Sequence, residues 1–232
     1  MKARRPRFSG FTLVELLVVI LIISILLTIG SVALKGAGGK GVTTALAATE
    51  ALFDEARSVA MGSGARSRLL INADDPQSPN YLQQIDIVSE MLDETGQPFD
   101  PPQWELSSRG YTLPDKVYFS QEFSRKDHES GTGEIETFDL TGGRISAAYA
   151  GEYYFYEFNS EGICTTGLSG DDYTGPSFVL GAGVRRPGDE EPRTTGEARR
   201  DFGGFVIWRN GSTSIFRNPQ QILGGQNEPT NF

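Results

Sequence analysis

From Phe11 to Leu34 apolar side chains follow one another almost without interruption, and Glu15 is the only ionisable group among them. As a helix this run is long enough to cross roughly 30 Å of hydrocarbon, so the pattern predicts a transmembrane helix over 11–34. Gly36-Ala37-Gly38-Gly39-Lys40-Gly41 then interrupts the helical pattern. Each glycine costs about 1 kcal/mol relative to alanine inside a helix, which predicts a soft point there. Beyond it Val42, Leu46, Thr49, Phe53, Ala56 and Ala60 recur at spacings of four and three. That stripe predicts an amphipathic helix over 35–61 whose apolar face docks on a sheet. An unbroken helix from Phe11 to Met61 would be roughly 76 Å long.

After Gly62-Ser63-Gly64 the period changes from helical to alternating. Strands are expected at Arg66 to Asn72, Leu82 to Val88, Trp104 to Leu106, Tyr111 to Leu113, Val117 to Phe119, Tyr153 to Phe158 and Ser177 to Leu180. Glu90 to Asp93 is open to a helical turn, and Ser120 to Glu134 reads as polar and exposed. The segment Tyr153-Tyr154-Phe155-Tyr156-Glu157-Phe158 has aromatic rings on both faces, as a central strand does, and Asn159-Ser160-Glu161-Gly162 follows it as a turn. Gly183 to Gly204 is charged and nearly free of apolar residues, and is expected to be a mobile excursion. Phe205 to Arg209, Asn210-Gly211 and Ser212 to Phe216 predict a hairpin with a two-residue type I′ turn, and Asn218 to Phe232 a frayed tail. One helix followed by many antiparallel strands predicts an α+β domain, residues 62–232, with the long N-terminal helix packed on its β-sheet.

Lys2, Arg4, Arg5 and Arg7 precede the apolar run, so the positive-inside bias places residues 1–10 in the cytoplasm and the remainder across the membrane, in the periplasm of a bacterium. The clear small residue for processing is Gly10, ahead of the span; Gly30-Ser31-Val32-Ala33 is a weaker candidate. A cut after Gly10 removes the charged leader and leaves the helix as the new amino terminus. Glu15 costs on the order of 2.5 to 3.5 kcal/mol in an apolar helix and needs a partner. The ammonium that cleavage creates on Phe11 is one, worth roughly 4 kcal/mol at 4 Å and an effective dielectric of 20. Phe11 and Glu15 share a helix face, so the pair forms within one chain or between neighbours. The alternative is an acid merely tolerated near the positive end of the helix dipole, at about 0.3 to 1 kcal/mol.

Gly10-Phe11-Thr12-Leu13-Val14-Glu15, followed by Leu16-Leu17-Val18-Val19-Ile20, resembles the signature of the type IV prepilin and pseudopilin family. The resemblance implies cleavage between Gly10 and Phe11 by a membrane prepilin peptidase, N-methylation of Phe11 by the same enzyme, and a role for Glu15 in assembly. Ala56-Arg57-Ser58-Val59-Ala60, Phe158 to Gly162 and the Val206 to Phe216 hairpin are similar to the minor pseudopilin H and fimbrial pilin T subfamily, from which the charged 183–204 insertion departs.

Composition narrows the remaining functions. With 21 basic and 30 acidic residues the chain has a formal net charge of -9, which argues against nucleic acid as a partner. Cys164 is the only cysteine, so no internal disulfide forms; in this family that tilts the resemblance away from a major pilin. Cys164 and His128, each the only one of its type, are a candidate nucleophile pair by arithmetic alone, against the plainer readings of a buried thiol and a solvated loop. Asp74, Asp75 and Asn80, and Asp171 with Asp172, are candidate calcium ligands without the ordered spacing of a calcium loop. Neither a metal nor a cofactor is expected. No phosphate-binding G-x-x-x-x-G-K-[ST] motif occurs, so a separate ATPase must drive any assembly.

These readings combine into a structural, non-enzymatic subunit of a type II secretion or type IV pilus-type machine, held in the bacterial inner membrane by one helix. Its implied partners are the prepilin peptidase, other pilin-like subunits, the lipid bilayer, and a membrane platform with its ATPase. The competing reading is a membrane-anchored periplasmic module that binds a substrate or an adhesion target.

Overall fold

A computed structural model describes residues 17, 19, 20, 38–108, 110–167, 175–186, 189, 191–193 and 201–216. The chain divides into two units, Met1–Ala37 and Gly38–Phe232. In the first, Leu17, Val19 and Ile20 are helical and exposed, and the rest of the expected span lies outside the described residues. Among the described residues no helix is long and apolar enough to cross a membrane.

The second unit opens with helix α1, Gly38–Ser63. Gly38, Gly39 and Gly41 are helical, so the expected soft point does not extend to them; Gly36 and Ala37 lie outside the described residues. All six positions of the predicted stripe are buried, joined by Ala45. Gly62 and Ser63 form the last turn, and Gly64, at φ +67°, ends the helix.

The strands are β1 Ser67–Asn72, β2 Gln84–Glu90, β3 Trp104–Leu106, β4 Tyr111–Thr112, β5 Val117–Phe119, β6 Arg125–Asp127, β7 Thr132–Glu134, β8 Thr137–Leu140, β9 Gly151–Phe158, β10 Ser177–Ala182, β11 Phe202–Ile207 and β12 Thr213–Phe216. A first sheet has the order β3-β2-β1-β9-β8, with β4 also on β2; a second runs β12-β11-β10-β5; β6 and β7 pair separately. All the pairings between strands are antiparallel.

The helix is the shared partner of both sheets, and Phe53 is the joint. Its ring stands edge-on to Tyr156 and Phe158 of β9 at 5.1 and 6.3 Å, to Phe178 of β10 at 5.3 Å and to Phe205 of β11 at 5.1 Å. One side chain therefore locks three layers, with ring pairs each worth about 0.5 to 1.5 kcal/mol beyond area burial. The Ser67 hydroxyl of β1 donates to the Ala56 carbonyl of α1 at 2.6 Å. The other face of the first sheet carries a smaller core of Leu70, Val88, Trp104, Leu140 and Tyr153.

Several expectations need correction. β2 begins at Gln84 and runs to Glu90, because Leu82 takes a left-handed backbone at φ +56° and starts the strand late. That extension overturns the helical turn at Glu90 to Asp93; Leu92 instead bridges Pro98. Ser120, Phe123 and Ser124 are buried, and β6 and β7 form a hairpin in the stretch read as exposed. β8 was not expected. β11 starts at Phe202, so 202–204 belong to the sheet and not to the 183–204 excursion.

The closing hairpin is present, but its loop is longer than a two-residue type I′ turn. Gly211 donates from its backbone N–H to the Trp208 carbonyl at 2.8 Å and Trp208 to the Ser212 carbonyl at 2.8 Å. Only Gly211, at φ +77°, is left-handed there; Asn210 is not. This is a three-residue loop with a glycine bulge, the next preferred way to match strand twist.

Candidate assembly surfaces

Gly10, Phe11 and Glu15 lie outside the described residues. Three places on the Gly38–Phe232 unit gather charged and aromatic side chains.

On the outer face of the first sheet, Arg66 reaches Glu90 with its Nε–H donating at 2.8 Å and its Nη2 at 2.5 Å. Arg68 donates to Glu157 at 2.8 Å. The Arg68 guanidinium lies 4.5, 4.4 and 4.2 Å from the rings of Trp104, Phe138 and Phe155. Burial lowers the Arg68 pKa, with Glu157 opposing, while the bond to Glu90 raises that of Arg66. Both carboxylates are satisfied internally, so this cluster braces the sheet and offers no free charge to a ligand.

The second place is the end of α1. Three short segments, distant in sequence, converge there: Ala56 to Ala60, the turn after β9, and the β11–β12 loop. Gly162, at φ +75°, and Gly211 make this approach feasible. A Cβ on Gly211 would stand 2.5 Å from Arg57 Cδ and 3.1 Å from the Gly162 carbonyl; one on Gly162 would stand 2.9 Å from Met61 Sδ. Asn159 Oδ1 accepts from the Glu161 and Ile163 backbone N–H groups at 3.0 and 2.9 Å, fixing its turn as expected. The Arg57 Nε is buried and has no hydrogen-bond partner. On the same segments Met61, Trp208 and Arg209 are exposed.

The third is a polar cleft of about 430 Å³ lined by Gln121, Glu122, Arg125, Glu134, Tyr154 and Glu191 among others. The Tyr154 hydroxyl donates to Gln121 Oε1. Burial first, then the neighbouring charges of Tyr81, Glu152, Glu191 and Glu134, push its pKa up to about 12. The sequence hid this cleft, because it is built from the stretch read as an exposed loop.

His128 stacks on Phe216, ring centroids 5.0 Å apart, and burial lowers its pKa. Cys164 is fully buried and forms no disulfide. Asp75 Oδ1 accepts from the Gln77 N–H at 2.8 Å, and Asp74 Oδ1 from the Glu152 N–H at 3.4 Å, so both acids serve as loop caps. Asp171 and Asp172 lie outside the described residues. Among the described residues no three His, Cys, Asp or Glu side chains gather as a metal site.

Residues 5–31 match the family described as the prokaryotic N-terminal methylation motif. No curated protein matches the chain. Two solved structures of the minor pseudopilin EpsH from the type II secretion system of Vibrio cholerae are similar in outline. One has 11% identity and a TM-score of 0.39, covering 77% of this chain and 95% of that one. The other has 10% identity and a TM-score of 0.35, covering 76% and 96%. Likeness this loose transfers no residue's role. The methylation motif at the head of the chain, followed by one helix laid on antiparallel sheets, supports a type IV pilin-like pseudopilin.

Proposed function

We infer that the chain is a structural minor pseudopilin or pilin subunit, cut between Gly10 and Phe11, methylated on Phe11 and assembled into a filament of a type II secretion or type IV pilus-type machine. The observation that carries this reading is the methylation motif over residues 5–31, ahead of a compact helix-on-sheet unit. The peptidase must reach the Gly10–Phe11 bond on the cytoplasmic side, since the basic leader holds residues 1–10 there. The freed ammonium then neutralises Glu15, in its own chain or in the neighbour's. Before assembly the subunit is stored in the inner membrane with its β-rich domain in the periplasm. Its partners are the processing enzyme and other pilin-like subunits, with a membrane platform and its ATPase supplying the work.

Glu15→Ala tests the reading in cells. The variant should stay in the membrane fraction and fail to enter filaments. Filament incorporation at the unmodified level would contradict the assembly role, and loss from the membrane would make Glu15 a folding or insertion residue instead.

A further inference from the structure

Arg57 and Arg209 stand out at the end of α1. Among the described residues neither forms an ion pair, although the chain carries nine more acidic than basic residues, and the Arg57 Nε is buried without an acceptor. Two large apolar side chains on the same converging segments, Met61 on α1 and Trp208 next to Arg209 in sequence, are exposed at 47% and 43%. The Trp208 indole N–H is already used, donating to Ser214 Oγ at 2.7 Å, so its ring is held in place. A preset aromatic ring and an arginine are what the centre of a protein interface selects.

The same chain holds a complement. The cleft presents Glu122, Glu134 and Glu191 against the single cation Arg125. It cannot meet the basic end within one molecule. Tyr154 and Phe158 lie on the same strand, four residues apart, about 13 Å along β9, and the Gly162 turn continues beyond Phe158. Nor do they lie at the same end of the helix. The cleft follows β5, whose Val117 packs at Gly41 near the start of α1, whereas Arg57 and Met61 belong to its last turns.

We propose that the basic-aromatic end formed by Arg57, Met61, Trp208 and Arg209 docks into the acidic cleft of a second copy of this chain. The proposal rests on the filament-subunit reading. Two different surfaces make the contact heterologous, so it joins copies head to tail, and on the filament reading it repeats from one copy to the next. The local pairing of opposite charge also offsets the repulsion between two strongly acidic molecules.

The test uses the full chain in membranes, with copies carrying two different tags and retrieval of one tag scored for the other. Arg57→Glu with Arg209→Glu should lower retrieval roughly tenfold, as should Glu122→Arg with Glu134→Arg. Mixing the two charge-reversed forms should restore it, because the unaltered end of one form then meets the unaltered cleft of the other and the reversed end meets the reversed cleft. Arg209→Glu alone guards against misfolding, since Arg209 is exposed, and should lower retrieval several-fold; raised salt should weaken the unaltered pair. Unchanged retrieval in the reversed forms, no recovery on mixing, or no pairing of unaltered copies would each overturn the proposal. If the reversed forms still lose Met1 to Gly10 and still enter filaments, only this contact fails and the filament reading stands.

Discussion

At the scale of single residues, the informative groups are polar atoms in places where polarity is costly. Asp86 points from β2 into the outer face of the first sheet, 2% exposed, with Oδ2 lacking a partner and Oδ1 accepting from Gln84 at 3.1 Å. Burial raises its pKa above the ordinary 3.8. The native state thus binds this proton more tightly than the unfolded chain. The stabilisation is full below the ordinary value and is lost as pH rises through the raised one. Asp86→Asn should stabilise the protein at neutral pH by about 1 kcal/mol and flatten the fall in stability from acid to neutral pH. Denaturant unfolding of both forms at about pH 4 and pH 7 checks this. An equal pH dependence in both would remove Asp86 from the account. Nothing in the sequence marks this acid: Gln84 to Asp86 alternate as a half-exposed strand should, and the loop at Gly110, distant in sequence, closes over the carboxylate.

At the scale of elements, the helix was legible because its signal is local. Six apolar positions at helical spacing had one surface to bury, and all six are buried. Phe53 tests that logic at its centre. Phe53→Ala removes edge contacts to four rings and should cost about 3 to 5 kcal/mol, read as a large fall in the unfolding midpoint of the membrane-extracted protein. A cost under about 1 kcal/mol would mean that the two sheets hold together without the helix. The long aromatic strand was equally legible, since Tyr156 and Phe158 face the helix and Tyr153 the outer core. Short elements were not. Thr137 to Leu140 is strand because β9 presents an unpaired edge to it, with Thr137 opposite Tyr154 and Phe138 opposite Tyr153, a pairing that no local pattern announces. The closing hairpin shows the intermediate case: Asn210-Gly211 located the turn, but its type depended on packing of Gly211 against Arg57.

At the scale of the whole molecule, function is written where folding physics says least about a domain. The Gly38–Phe232 unit gives a scaffold with two sheets on one helix, and its outer surfaces differ in charge from end to end. The motif over residues 5–31 supplies the reason for building it. The proposal for Gly10, Phe11 and Glu15 rests on the sequence, where a charged leader, a small residue and one acid in an apolar run leave few chemical outcomes. The basic end and the acidic cleft were not readable, since each is assembled from segments that meet only on folding.

The central claim is that a cut on the cytoplasmic side of the membrane creates the amino group that Glu15 neutralises. Intact-mass and N-terminal sequence analysis of the protein extracted from membranes tests it most directly. The account predicts a chain that begins at Phe11 and carries a methyl group on its amino nitrogen. A chain that still begins at Met1 while entering filaments at the normal level would contradict it.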